Sequence, residues 1–104
     1  MYKSKRSRKC DINKATKNAV WERDGHKCII CGSPFAMPNA HFIPRSSGGL
    51  GIEQNIVTLC AKCHQITDQS EHRKFMLNKI EKYLMNHYKN WNKEDLKYDK
   101  WKIL

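Results

Sequence analysis

Two cysteine pairs and three isolated polar residues are the positions in this chain that could do chemistry. Cys28-x-x-Cys31 and Cys60-x-x-Cys63 are separated by 28 residues. Each knuckle can aim two thiolates at one centre, and two knuckles complete a tetrahedral Zn²⁺ site with Zn–S bonds of about 2.3 Å. Disulfides are the competing reading, but in a reducing cytosol paired CxxC motifs read as metal ligands. A redox-active pair would want a single CxxC in a βαβ setting, which the pattern does not offer. With four protein ligands the zinc is closed and structural. Cys10 is left over as a free thiol. Within and just behind this frame lie His41, Asn55 and His64. Singly they have ordinary explanations: a satisfied structural histidine, an asparagine at a strand entry, a further contact near the zinc.

Read in order, the frame contains His41-Phe-Ile-Pro-Arg-Ser-Ser-Gly-Gly and then Asn55-Ile-Val-Thr-Leu-Cys-Ala-Lys-Cys-His64. It is preceded by Val20-Trp21-Glu22-Arg23-Asp24-Gly25. From Val20 to Asp68 this resembles the HNH endonuclease family, which carries the ββα-metal (His-Me finger) fold. Gly51-Ile-Glu-Gln-Asn55 and the lysine-rich C-terminal third look like the small HNH proteins of bacteriophage genomes. The resemblance implies that His41 is the general base, that Asn55 braces the loop holding it, and that His64 binds a catalytic divalent metal. Its implied products are a 5′-phosphate and a 3′-hydroxyl.

Elementary chemistry supports those roles. Phosphodiester hydrolysis needs a base for water, a cation for developing charge and an aligned leaving oxygen. An imidazole with a pKa of about 6.5 offers a neutral base at pH 7. An amide both donates and accepts, as a brace must. One departure stands out: many family members place an acid or histidine just before the base, and here that residue is Ala40. Asp68 is the candidate replacement, because positions four apart on a helix share a face. His72 is a weaker one. A carboxylate with an imidazole suits Mg²⁺ or Mn²⁺. Arg45 at the mouth of the glycine loop and Arg73 are candidate phosphate contacts.

The elements that must position these residues follow from caps, periodicity and breakers. Asn13 and Gly25 bracket a helix over 13–24. Residues 40–43 and 55–59 read as short strands flanking the glycine loop. A helix is expected from His64. Met76, Leu77, Ile80, Tyr83 and Leu84 recur at helical spacing and predict an amphipathic helix over 71–89. Trp91, Tyr98 and Trp101 are read as completing a thin core rather than as a base-stacking surface. The expected architecture is α+β: a small zinc-stabilised ββα-metal domain with flanking helices. Residues 1–10 would be a disordered basic arm, 11–70 the nuclease core, and 71–104 a basic helical extension.

Composition bounds the rest. Lysine and arginine total 20 against 10 acids, a net charge of +10 on 104 residues. This potential attracts polyanions, nucleic acid above all. At 39% hydrophobic residues and this length the core is thin and needs a staple, the role given to zinc. No apolar run approaches the roughly 20 residues of a membrane span, and none follows the basic start as a secretory signal would require. The chain is read as cytoplasmic, in a bacterial host if phage-encoded. The expected function is metal-dependent cleavage or nicking of double-stranded DNA. The alternatives are a non-catalytic zinc-dependent DNA-binding module, or a phage packaging accessory acting with terminase subunits.

Overall fold

The Asn13 side chain accepts the Thr16 amide at 2.8 Å, and this N-cap starts the helix expected over 13–24. It is the second of four helices among the residues that the computed structural model describes, 4–69 and 71–99. In chain order these are α1 (Lys5–Cys10), α2 (Lys14–Arg23), α3 (Ala61–Gln69) and α4 (Arg73–His87). Between α2 and α3, β1 (Ala36–His41) and β2 (Ile56–Cys60) pair antiparallel. Single 3-10 turns occupy Arg45–Ser47, Glu53–Asn55 and Lys93–Leu96. None of the described helices is long and apolar enough to cross a membrane.

β1 begins earlier than its sequence suggests. Met37 pairs with Leu59 and Ala40 with Val57, so β1 takes three steps where β2 takes two. The extra residue is a bulge at Pro38–Asn39. A bulge is where a sheet tolerates a residue lacking an N–H, which is why Met-Pro-Asn does not read as strand. β2 needs no such device: all five of its residues are buried.

Val57 and Leu59 pack with Met76, Ile80 and Leu84 of α4 and with Leu96. The lysine-rich helix therefore shares one core with the strands. Trp91 meets Phe42 edge-on at 5.7 Å and donates its indole N–H to the Gln54 carbonyl at 2.8 Å. It completes the core, as expected; Trp101 lies outside the described residues.

The basic N-terminus corrects the expectation of disorder. Ser4 caps α1 by accepting the Ser7 amide at 3.1 Å, and Cys10 at its end is buried. Arg6 donates to the carbonyls of Arg45 and Ser46 at 3.2 and 3.1 Å. Self-repulsion argued for a free arm, but loop carbonyls absorb part of the charge and a buried cysteine anchors the end. Met1 to Lys3 lie outside the described residues.

An ionic strut ties these layers together. Asp24, its side chain wholly buried, is gripped twice by Arg23, at 2.7 and 3.1 Å. Asp24 also accepts the Tyr83 hydroxyl at 2.6 Å and the Thr58 amide at 2.8 Å. Arg23 reaches on to the Glu53 and Ile56 carbonyls at 2.8 and 2.7 Å. Burial works against the Arg23 charge, but hydrogen bonds to Asp24 and Tyr88 more than offset it and push its pKa up. Burial, then the Asp24 carboxylate, push the Tyr83 hydroxyl up as well. Asp24→Asn keeps the shape and leaves a buried guanidinium without its counter-charge, which costs about 3–5 kcal/mol. Glu94→Gln in the exposed Lys97–Glu94 pair costs at most about 1 kcal/mol. Urea denaturation of both variants checks this, and equal losses would show that the strut carries no special load.

Candidate active site

The glycine loop between the strands is closed at both ends by Asn55. Asn55, 0% exposed, accepts the Ile43 amide at 2.8 Å and donates to the carbonyls of Ile43 at 3.2 Å and Leu50 at 2.8 Å. A single amide thus staples both ends of the loop, which only a group that donates and accepts can do. Gly49 passes so close to the Ile43 carbonyl that a Cβ there would collide with it.

His41 ends β1, two residues before the stapled Ile43. Its Nε2 lies 2.9 Å from the Cys10 carbonyl. A carbonyl only accepts, so Nε2 carries the proton and Nδ1 keeps the free lone pair. The partner is main-chain, and no residue type in the sequence announces it. The one trace is Gly51, whose amide donates to the Lys9 carbonyl at 3.0 Å and where a Cβ would strike the Asp11 carbonyl. Burial lowers the His41 pKa from its ordinary 6.5; the Cys10 carbonyl opposes this, while Arg45 and His64 add to it.

His64 follows the second cysteine knuckle on α3. Its Nδ1 meets Asp68 at 2.9 Å, so the carboxylate fixes the Nδ1–H tautomer and leaves Nε2 to ligate. The shared helix face expected for Asp68 is there, and its carboxylate, which lines the cleft as well, orients the imidazole. Asn39, His41, Arg45, His64, Asp68 and Arg73 line one open cleft of about 520 Å³. Arg45 is already paired with Asp11 at 2.9 Å. Asn55 sits beneath as a brace. Ala40 is 4% exposed and packs into the core, so it offers the cleft nothing. His72 sits beside Glu71, 3.7 Å away, and is not among the residues lining the cleft.

The four knuckle cysteines converge. Their sulfurs all lie within 4.8 Å of one another, with Cys31 and Cys60 at 3.6 Å. Bonds of about 2.3 Å to one tetrahedral ion set sulfur–sulfur edges of about 3.8 Å, so one ion fits this cluster. Burial would raise the Cys28 thiol, but main-chain hydrogen bonds from Cys31 and Cys60 outweigh it and bring it down to about 7. The Cys63 amide points at the Cys60 sulfur at 3.4 Å.

A two-stranded hairpin, a helix bearing a histidine and a cysteine cluster able to hold a metal define a small ββα domain. The sequence profile of the HNH endonuclease family matches residues 28–82, and the chain belongs to that family. It is also similar to anaredoxin of Nostoc sp. (strain PCC 7120 / SAG 25.82 / UTEX 2576), 38% identical over 42 residues. That match covers 39% of this chain and 55% of anaredoxin, so the chain spans about half of that relative's length. The fold is similar to part of the Type IV phosphorothioation-dependent restriction endonuclease ScoMcrA, with a TM-score of 0.65 at 17% identity. The likeness covers 83% of this chain and 19% of that one.

The cysteine cluster makes a direct prediction. Co²⁺ added to metal-stripped protein should bind at one equivalent per chain and give the intense visible bands of a tetrahedral thiolate site. Cys31→Ser should weaken that binding and lower the melting temperature together. Bands unchanged in Cys31→Ser would place the ion elsewhere.

Proposed function

We propose that the chain is a metal-dependent endonuclease that nicks or cuts double-stranded DNA by hydrolysing its phosphodiester bonds. The observation that carries this reading is His41: a histidine locked by a main-chain carbonyl into the tautomer that leaves Nδ1 basic, lining the same cleft as His64. His41 takes the proton of the attacking water at Nδ1, and its lowered pKa keeps it neutral at pH 7. Asn55 fixes the loop just beyond it. The Nε2 of His64, oriented by Asp68, is the position to hold Mg²⁺ or Mn²⁺. Such an ion, when bound, supplies Lewis-acid stabilisation of charge on the phosphate and the leaving oxygen. Arg73 and Arg45 attract the phosphate, Arg45 with its charge shared with Asp11. The cysteine cluster takes Zn²⁺ as a structural ion.

Ala40 favours a second reading, DNA binding without cleavage, because it removes a position that many family members use for a metal ligand. A supercoiled-plasmid assay with Mg²⁺ or Mn²⁺ separates the two. Wild-type protein should nick, and His41→Ala should lose about 100-fold or more in rate. Wild-type binding without nicking under either metal would overturn the enzyme. The pH dependence has a defined sign. A base works deprotonated, so the rate should climb with pH and level off, with an acid-limb midpoint below the ordinary histidine value of 6.5. A midpoint above that value would exclude His41 in this environment as the base.

A further inference from the structure

Phe35 is 87% exposed and Met37 61% exposed, two large apolar side chains that folding leaves in water. Met37 is the second residue of β1 and Phe35 lies just before the strand, both ahead of its bulge. Together they border a groove of about 780 Å³ beside α3. That groove is continuous with the catalytic cleft, since Asn39, His64 and Asp68 line both. From these observations we propose that Phe35, with Met37 beside it, is a stacking platform for an unpaired nucleobase of the DNA strand whose phosphate lies at His41 and His64. The inference deepens the nuclease reading and rests on it for the placement of the phosphate.

Because the groove and the cleft share Asn39, His64 and Asp68 in their walls, a strand held at the cleft carries a neighbouring base over the groove. Every base has an apolar π-face, and stacking on an exposed aromatic ring is how proteins hold bases that are not paired. The main chain that carries the ring is also tied down. The Phe35 amide donates to the Ser33 hydroxyl at 3.1 Å, and the Ser33 carbonyl accepts the Cys28 amide at 2.9 Å. The main chain at Phe35 is thus anchored to the cysteine knuckle, which leaves only the side-chain torsions to be ordered on binding. Two side chains fall far short of the roughly 800 Å² per partner of a stable protein interface. The net charge of +10 also favours a polyanion over an apolar protein face.

The test measures affinity, so it does not require cleavage. Full-length zinc-loaded protein is titrated against a fluorescent perfect duplex, the same duplex with a two-base mismatch bubble, and the single strand, over a series of salt concentrations. Wild type should prefer the bubble and the single strand. Phe35→Ala should lose about 10-fold in affinity for those two forms with an unchanged salt slope, and Phe35→Trp should restore it. Phe75→Ala, removing an exposed ring on α4, controls for loss of any surface aromatic and should bind as wild type. Equal affinities of wild type and Phe35→Ala for all three DNAs would overturn the proposal. So would a Phe35→Ala change in self-association with DNA affinity untouched, which would make the surface a protein contact. Phe35-dependent binding by a chain that never nicks plasmid would keep the platform and remove the nuclease.

Discussion

The Arg23–Asp24 pair is the constraint on which the site depends. Arg23 grips the carbonyls of Glu53 and Ile56, one on each side of Asn55. Asp24 holds the Thr58 amide on the next stretch of β2 and the Tyr83 hydroxyl of α4. The position of Asn55 is therefore set from both flanks before its own side chain makes a bond. Asn55 then fixes the glycine loop, and the loop fixes the strand end that carries His41. A buried ion pair is weak evidence of net stability, since apolar residues of similar volume often do as well. What it offers here is direction: a guanidinium fork and a carboxylate demand partners at defined angles, and four segments meet those demands at once.

The second fixed point is the cysteine cluster. α3 starts at Ala61, between Cys60 and Cys63, so the helix that bears His64 grows directly out of the cysteine cluster, and His64 adjoins one of its members. The hydrophobic core supports the other side of the hairpin through Val57 and Leu59 against α4. A core this thin leaves the cleft face short of apolar support, and the strut compensates with directional bonds. The exposed ring of Phe35 fits the same economy, because the knuckle that holds it already exists for another purpose.

Side-chain types carried most of the site and almost none of its main-chain half. His41, His64, Asp68, Arg45 and Arg73 do line one cleft, because spacing on short, strongly signalled elements constrains where side chains emerge. Asn55 was readable for the same reason. The Cys10 carbonyl was not, since a carbonyl is common to every residue and only the close approach at Gly51 hints at it. The pairing within α3 was legible, since four-residue spacing puts Asp68 beside His64. The early start of β1 was hidden by Pro38, which breaks the strand pattern but is accommodated in a bulge. α1 was masked by its own charge, since the loop carbonyls that receive Arg6 lie about forty residues away in sequence.

That last point changes what the positive charge means. Of the five arginines, Arg6, Arg23 and Arg45 hold carbonyls or carboxylates of the fold itself. The 15 lysines therefore supply most of the outward field. Arginine forks give bidentate, geometrically selective recognition, whereas lysines act as hydrated point charges. A field built from lysines attracts phosphate steeply with falling salt and discriminates little among sequences. Preference among DNAs then rests with uncharged groups beside the cleft, and this fold presents both amides (Asn39, Gln65, Gln69) and apolar side chains (Phe35, Met37) there.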